Sequence, residues 1–147
     1  MNIDTHQILT GVSLHPGEAN GDLLVLGDAL SFYGGVDRNG TITAVRHPQE
    51  GMSVAGRVVA LPAARGSSSS ASVVAELIRA GAAPAALLLV DLDTILVVGA
   101  LVAAELYGLR LPIAHVTRSA FDQLGSGTVN VTCNEAGQTA TITRCEV

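Results

Sequence analysis

Residues 54–81 read VAGRVVALPAARGSSSSASVVAELIRAG, and the change of pattern inside this stretch decides the fold. Before Pro62 the apolar residues form a short continuous run, as in a buried strand. After Ser70, Val73, Val74, Leu77 and Ile78 recur at helical spacing. The stretch therefore predicts a strand at 56–61, a serine loop and a helix over about 69–80. The pattern then repeats, with a strand at 85–90, a helix over about 93–107 and a strand at 111–116. Gly81 and Gly108 stand where helix C-terminal glycines belong, and Pro84 and Pro112 open the following strands. The middle of the chain is thus β-α-β-α-β, an α/β arrangement.

Upstream, ILTGVSL and NGDLLVLGDAL read as strands, with Gly17 and Gly21 marking turns. Gly34, Gly35 and Gly40 punctuate a long loop before TITAV. Downstream, RSAFDQL is a short helical stretch, and 128–145 is an antiparallel hairpin turning near Ala136-Gly137. In that register Cys133 opposes Ala140, whereas Cys145 opposes Thr128 and points to the other face, so the two cysteines are not expected to pair. No linker or internal repeat separates two cores, so residues 1–147 are expected to form one domain.

With 147 residues, 48% of them hydrophobic and only 3% aromatic, the chain packs a core of Val, Leu, Ile and Ala. All eight basic residues are Arg, and the net charge is −5, which argues against a nucleic-acid partner. The start MNIDTHQILTG lacks the pattern of a secretory signal, so a cytoplasmic location is expected. The apolar window 95–104, ILVVGALVAA, is too short to span a bilayer. It is expected to be a buried helix with no role at a membrane.

By composition, RGSSSS is either a flexible connector or a set of overlapping N-cap candidates. Its position between a strand and a helix of an α/β unit places it at the carboxyl edge of a sheet, where ligands bind. Gly66 with Ser67, Ser68, Ser69 and Ser70 offers a permissive backbone, hydroxyls and unpaired N–H groups suited to a carboxylate. The spacing matches neither a phosphate-binding Walker loop nor a G-x-S-x-G elbow. A second cluster, LSFYGGVD at 30–37, combines the Ser31 hydroxyl with Gly34-Gly35, which permit close backbone approach. Phe32 and Tyr33 are candidates for an apolar contact surface. Among the histidines, His47 stands out between Arg46 and Pro48, while His6, His15 and His115 carry no assigned role. Two cysteines on opposite faces cannot furnish a cysteine-rich metal cluster, so no metal site is expected in this chain.

Taken in order, GEANG, LSFYGGVD, RHPQEG, AGRVVALPAARGSSSS, GAAPAALLLV, VGALVAAELYG and LPIAHV resemble the small subunit, or swivel domain, of the aconitase X proteins, from about Gly11 to Val116. The resemblance implies a swivelling β/β/α domain, a compact barrel-like sheet with flanking helices. It also implies a hydro-lyase small subunit that works with a large subunit carrying an iron–sulfur cluster, on a small carboxylate substrate bound in the cleft between the two. By likeness, Ser67 is the catalytic base. Arg65, Gly66 and Ser68 shape the carboxylate pocket, and Ser31, Gly34 and Gly35 contribute to substrate binding. The family's substrates are cis-3-hydroxy-L-proline and mevalonate 5-phosphate, and the Ala- and Arg-rich, Lys-free composition favours the hydroxyproline. A competing reading of another class is a non-catalytic swivelling carrier, which would need a loop histidine in a Gly/Thr-rich context that none of the four histidines has; a further alternative is a small-molecule binding domain.

Overall fold

A computed structural model describes residues 8–145; the start of the chain, with His6, lies outside the described residues. Seven strands, β1 (Ile8–His15), β2 (Gly17–Val25), β3 (Val58–Leu61), β4 (Ala86–Leu89), β5 (Ile113–His115), β6 (Thr128–Cys133) and β7 (Thr139–Arg144), close into an uneven ring in the order β1-β5-β4-β3-β2-β6-β7. Neighbours from β2 through β3 and β4 to β5 run parallel, and the remaining pairs are antiparallel. Four helical segments accompany them: α1 (Phe32–Gly35), α2 (Ser70–Ala80), α3 (Thr94–Tyr107) and α4 (Arg118–Asp122).

Because side chains alternate across a strand, each parallel strand feeds two cores. Val58, Ala60, Ala86, Leu88 and Ala114 point into the ring, where they meet Val129, Val131 and Ile142, and Phe121 and Leu124 of the α4 region pack against them. Val59, Leu61, Leu87, Leu89 and Ile113 point outwards and pack under Val74, Leu77 and Ile78 of α2 and Leu96, Ala100 and Ala103 of α3. Burial on both sides explains why β3 and β4 read as unbroken apolar runs.

The β-α-β-α-β expectation is met to within two residues at each end, and Gly81 and Gly108 do close α2 and α3 in the left-handed conformation. The hairpin also has the expected register, with Cys133 opposite Ala140 and Cys145 N donating to Thr128 O at 2.9 Å. Both cysteines are free.

Two expectations need correction. Gly21 marks no turn; it lies within β2, paired with Val129, and the strand ends at Val25 rather than running to Leu30. TITAV, after the glycine-punctuated loop, makes two isolated bridges, Thr41 to Ser53 and Ile42 to Val36. The window 95–104 is not wholly buried. Helix α3 packs by one side only, leaving Val98, Leu101 and Val102 between 39% and 54% exposed. Among the described residues no helix is long and apolar enough to cross a membrane.

Candidate functional site

Strands β2, β3 and β4 are parallel neighbours, so the segments leaving their carboxyl ends gather at one edge of the sheet. The segment after β2 carries Asp28, LSFYGG and Arg46-His47. The segment after β3 carries Arg65 and the serine run. The segment after β4 anchors its neighbour: Ala64 N donates to Asp91 Oδ2 at 3.0 Å. Between the first two segments lies a groove of about 400 Å³ lined by Ser31, Gly34, Gly35 and Arg65, together with Asp28 and Arg46.

The groove is built around a contact that neither segment makes alone. The Tyr33 N–H donates to Ser70 Oγ at 3.2 Å, and the Ser31 hydroxyl donates to Tyr33 O at 3.0 Å. Gly66, at φ +144°, slots between them. A β-carbon there would lie 3.1 Å from both Ser31 Oγ and Ser70 Oγ. Inside α1, Tyr33 and Gly34 leave helical geometry, and Gly34 turns at φ +84°, so this segment is a tight turn pinned to the start of α2.

The serine run divides its labour. Ser70 is buried at 3% exposure and holds the Tyr33 N–H, whereas Ser67, Ser68 and Ser69 are exposed. Ser67 Oγ accepts from Ser69 N at 3.2 Å, just ahead of the first turn of α2. Ser69, the residue before the helix, makes no side-chain capping bond, so the run is not a series of N-caps. A donated backbone N–H and the positive end of α2 both favour negative charge on the Ser67 oxygen.

Of the residues singled out in the sequence, the structure therefore brings Ser31, Gly34, Gly35 and Arg65 onto one groove, with Gly66 wedged beside them. Ser67 and Ser68 stand on the adjoining exposed loop and do not line that groove. Of the two aromatic candidates for a contact surface, Phe32 is core, at 1% exposure, and Tyr33 is 57% exposed. Asp28 and Arg46 were missed, and Ser70, expected among the ligand-facing hydroxyls of the run, is instead the buried tie to Tyr33. Ser70 had a signal, since it precedes Val74 and Leu77 by four and seven residues and so continues the buried stripe of α2. Neither Asp28 nor Arg46 stands in a pattern that would single it out.

Each described histidine is committed to a backbone carbonyl. His47 Nδ1 accepts from Gln49 N at 3.0 Å, so Nε2 carries the proton and donates to Asp28 O at 3.1 Å. His115 Nε2 donates to Val90 O at 2.9 Å, and His15 Nδ1 donates to Leu111 O at 3.0 Å. Burial holds His15 below the usual imidazole range, against the Leu111 bond, and nearby Arg110 adds to the effect.

The donor set does not fit an iron–sulfur cluster. Cys133 is packed inside the ring with its thiol pushed up to about 11 by burial. Among the described residues no three His, Cys, Asp or Glu side chains converge as metal ligands would.

Residues 8–142 match the aconitase X swivel domain family. The chain is 46% identical over 115 residues to a cis-3-hydroxy-L-proline dehydratase of Pseudomonas aeruginosa; the match covers 78% of this chain and 20% of that protein. It is 30% identical over 123 residues to the phosphomevalonate dehydratase small subunit of Methanosarcina acetivorans, covering 82% of this chain and 81% of that subunit. The chain thus spans about a fifth of the length of the hydroxyproline dehydratases it matches. The fold superimposes on the crystal structure of Thermococcus kodakaraensis aconitase X in its holo-form with a TM-score of 0.78 and 27% identity, over 92% of this chain and 98% of that one.

Proposed function

The chain belongs to the aconitase X swivel domain family, and from that premise we propose that it supplies the serine-bearing half of a dehydratase active site, removing water from cis-3-hydroxy-L-proline in partnership with a larger iron–sulfur subunit. The observation that carries this reading is the convergence of Arg65, Gly66, Ser31 and the Gly34-Gly35 turn beside Ser67 at the carboxyl edge of the sheet. The identity to the Pseudomonas enzyme supports the choice of substrate. The small-subunit relatives support a separate large partner. In the Pseudomonas relative, four-fifths of the protein lies beyond the matched segment, so there the remainder belongs to the same polypeptide. More than half of Tyr33 is exposed at the groove, and among the described residues nothing covers the apolar outer side of α3; each supports a partner that covers exposed apolar surface.

In this reading the chain's residues do three things. Arg65 presents a planar guanidinium to the substrate carboxylate, where negative charge grows as the adjacent C–H bond breaks. Ser67, as alkoxide, takes the proton from the carbon bearing the carboxylate. The electron pair of that C–H bond becomes the new carbon–carbon double bond, and the bond to the 3-hydroxyl oxygen breaks with its pair. The departing hydroxide takes a second proton from an acid on the partner's side of the cleft and leaves as water, and the proton from carbon rests on Ser67 Oγ. Gly66 and the Gly34-Gly35 turn let backbone approach the substrate without a side chain in the way. No group of this chain is assigned to the leaving hydroxyl; that side of the cleft is the partner's.

The test combines the purified chain with its large subunit and follows water loss by mass spectrometry. Turnover of cis-3-hydroxy-L-proline that requires both components is the expected result. Selective turnover of mevalonate 5-phosphate would replace this substrate with that of the small-subunit relatives, and turnover of neither would remove the dehydratase reading. The carrier reading needs an available histidine, and each of the three described is tied to a backbone carbonyl.

A further inference from the structure

Charges of both signs line the groove, and none of them is neutralised there. Arg46 and Arg65 supply two guanidinium groups and Asp28 a carboxylate, yet the two ion pairs among the described residues, Arg79–Glu76 and Arg118–Asp122, involve none of these three. Exposed opposite charges gain little by pairing in water, so where they stand is set largely by the backbone that carries them, and here that backbone is cross-tied. Asp28 O accepts from His47 Nε2 at 3.1 Å, and His47 is held in turn by Gln49 N at 3.0 Å. Gln49 also reaches back, its Oε1 accepting from Gly27 N at 3.0 Å. Arg46 sits at φ +67°, the only described non-glycine residue with positive φ, and its N–H donates to Glu50 Oε1 at 3.2 Å. A bulky residue in that conformation is strained, and such strain persists where the surroundings over-determine it. The segment from Gly27 to Glu50 is thus cross-tied so that Asp28 and Arg46 face one groove from fixed positions.

The Asp28 carboxylate is itself half committed. Oδ1 accepts from Ala29 N at 2.8 Å, which orients the group, while Oδ2 makes no hydrogen bond among the described residues. An oriented carboxylate with an open oxygen, lining the same groove as the guanidinium groups of Arg46 and Arg65, is complementary to a ligand that carries both an ammonium and a carboxylate.

We propose that Asp28 is a specificity-determining residue of this site, receiving the ammonium group of a zwitterionic imino acid whose carboxylate lies on the arginine side of the groove. The assignment rests on the dehydratase reading for the reaction, but it concerns recognition, so it has its own readout. A substrate such as mevalonate 5-phosphate has no ammonium and adds negative charge. Against that substrate Asp28 is repulsive, so the same carboxylate that favours the imino acid rejects the phosphorylated hydroxy acid.

The test uses Asp28→Asn in the reconstituted complex; the substitution keeps the Oδ1 acceptor for Ala29 N and removes the charge. Binding is measured by calorimetry for two non-reacting probes of similar shape, L-proline and cyclopentanecarboxylate, which differ in the ammonium. The wild-type complex is expected to prefer L-proline by about tenfold to hundredfold, the range of a hydrogen bond to a charged group, and Asp28→Asn to bring the two probes close to parity. An unchanged preference in the variant overturns the proposal, as does a wild-type complex that binds the two equally. Kinetics separate this from failure of the dehydratase reading. If the complex turns over neither substrate, that reading fails while the probe ratio still tests Asp28. If it dehydrates cis-3-hydroxy-L-proline, Asp28→Asn is expected to raise KM by about the same factor, with a smaller change in kcat.

Discussion

Replacing Gly66 with alanine tests the joint between the two loops. The added β-carbon would lie 3.1 Å from Ser31 Oγ and from Ser70 Oγ, and 3.6 Å from Ser31 Cβ, so the serine loop and the Phe32–Gly35 turn must separate by a few tenths of an ångström. The backbone, at φ +144°, adds its own penalty of about 1–3 kcal/mol for a residue with a side chain. For a domain of this size about 1 kcal/mol lowers the melting temperature by roughly 2–4 °C, which sets an expected drop of about 2–12 °C. Activity should suffer more than this implies, because Arg65 and Ser67 flank the displaced residue and catalysis is sensitive to misplacements well below 1 Å. A fall in kcat of at least about tenfold is expected. The control is Gly137→Ala, at φ +89° in the hairpin turn, where an added β-carbon meets nothing within 4 Å. It carries a comparable backbone penalty away from the groove. Thermal unfolding of the isolated chains and steady-state dehydration by the reconstituted complexes decide the matter. Wild-type kcat in Gly66→Ala, or an equal loss of kcat in Gly137→Ala, would refute the reasoning.

Ser67→Ala should abolish turnover while leaving the fold and complex formation intact, because the side chain is exposed and its removal opens no cavity, with losing the bond from Ser69 N costing at most about 2 kcal/mol of stability; retention of substantial activity would exclude it as the base. Arg65→Lys keeps the charge but loses the planar fork, so kcat/KM should drop, and Arg65→Gln should drop it further, with little change in stability; near-wild-type kinetics for Arg65→Gln would rule out the role. Burial sets the pKa of folded His15 below the ordinary value near 6.5, so as pH falls through that value the unfolded chain gains a proton that the folded chain resists. Stability should therefore decline between pH 7.5 and 5.5, and His15→Asn, which retains a donor for Leu111 O, should flatten the decline; parallel profiles would count against it. Cys133, with its thiol at about 11 inside the ring, should resist alkylation in the native chain and react only on unfolding, as peptide mass mapping would reveal.

The β-α-β-α-β core could be read from the sequence because its signals are local. Apolar runs bounded by Pro84 and Pro112, helical spacing from Val73 to Ile78, and two C-terminal glycines each act within a few residues. What escaped depends on long-range pairing. Gly21 resembles a turn residue until β6 is laid beside it and pairs it with Val129. The uniform hydrophobicity of 95–104 suggested burial on all sides, and nothing local could reveal that one side of α3 lacks a neighbour among the described residues. The site divides in the same way. The serine run and the Gly-Gly turn stand out as composition. Asp28 and Arg46 acquire meaning only when the His47–Asp28 and Gln49–Gly27 bonds fold one loop back on itself.

The exposure of Ser67 has a consequence for where catalysis can occur. Its oxygen gains one backbone donor and the end of α2. The helix terminus contributes at most about 2 kcal/mol, roughly 1.5 pKa units, and the charge-assisted bond from Ser69 N a further 1.5–3 kcal/mol or so. Together they leave an aliphatic hydroxyl far from ionised at neutral pH while water surrounds it. In an open groove that water also screens Arg65, whose attraction for developing negative charge rises several-fold once the effective dielectric falls from that of water to that of a partly closed site. Closure by a partner would strengthen these attractions by excluding water, and because desolvation alone disfavours an alkoxide, it is the partner's positive charge that must favour the charged form. The isolated chain should therefore bind small carboxylates weakly and show no dehydration at any substrate concentration, whereas adding the large subunit should raise turnover without changing this domain's own fold. Measurable turnover by the isolated chain would mean that the serine loop is activated by something within these 147 residues, and the two-component account of the site would have to be given up.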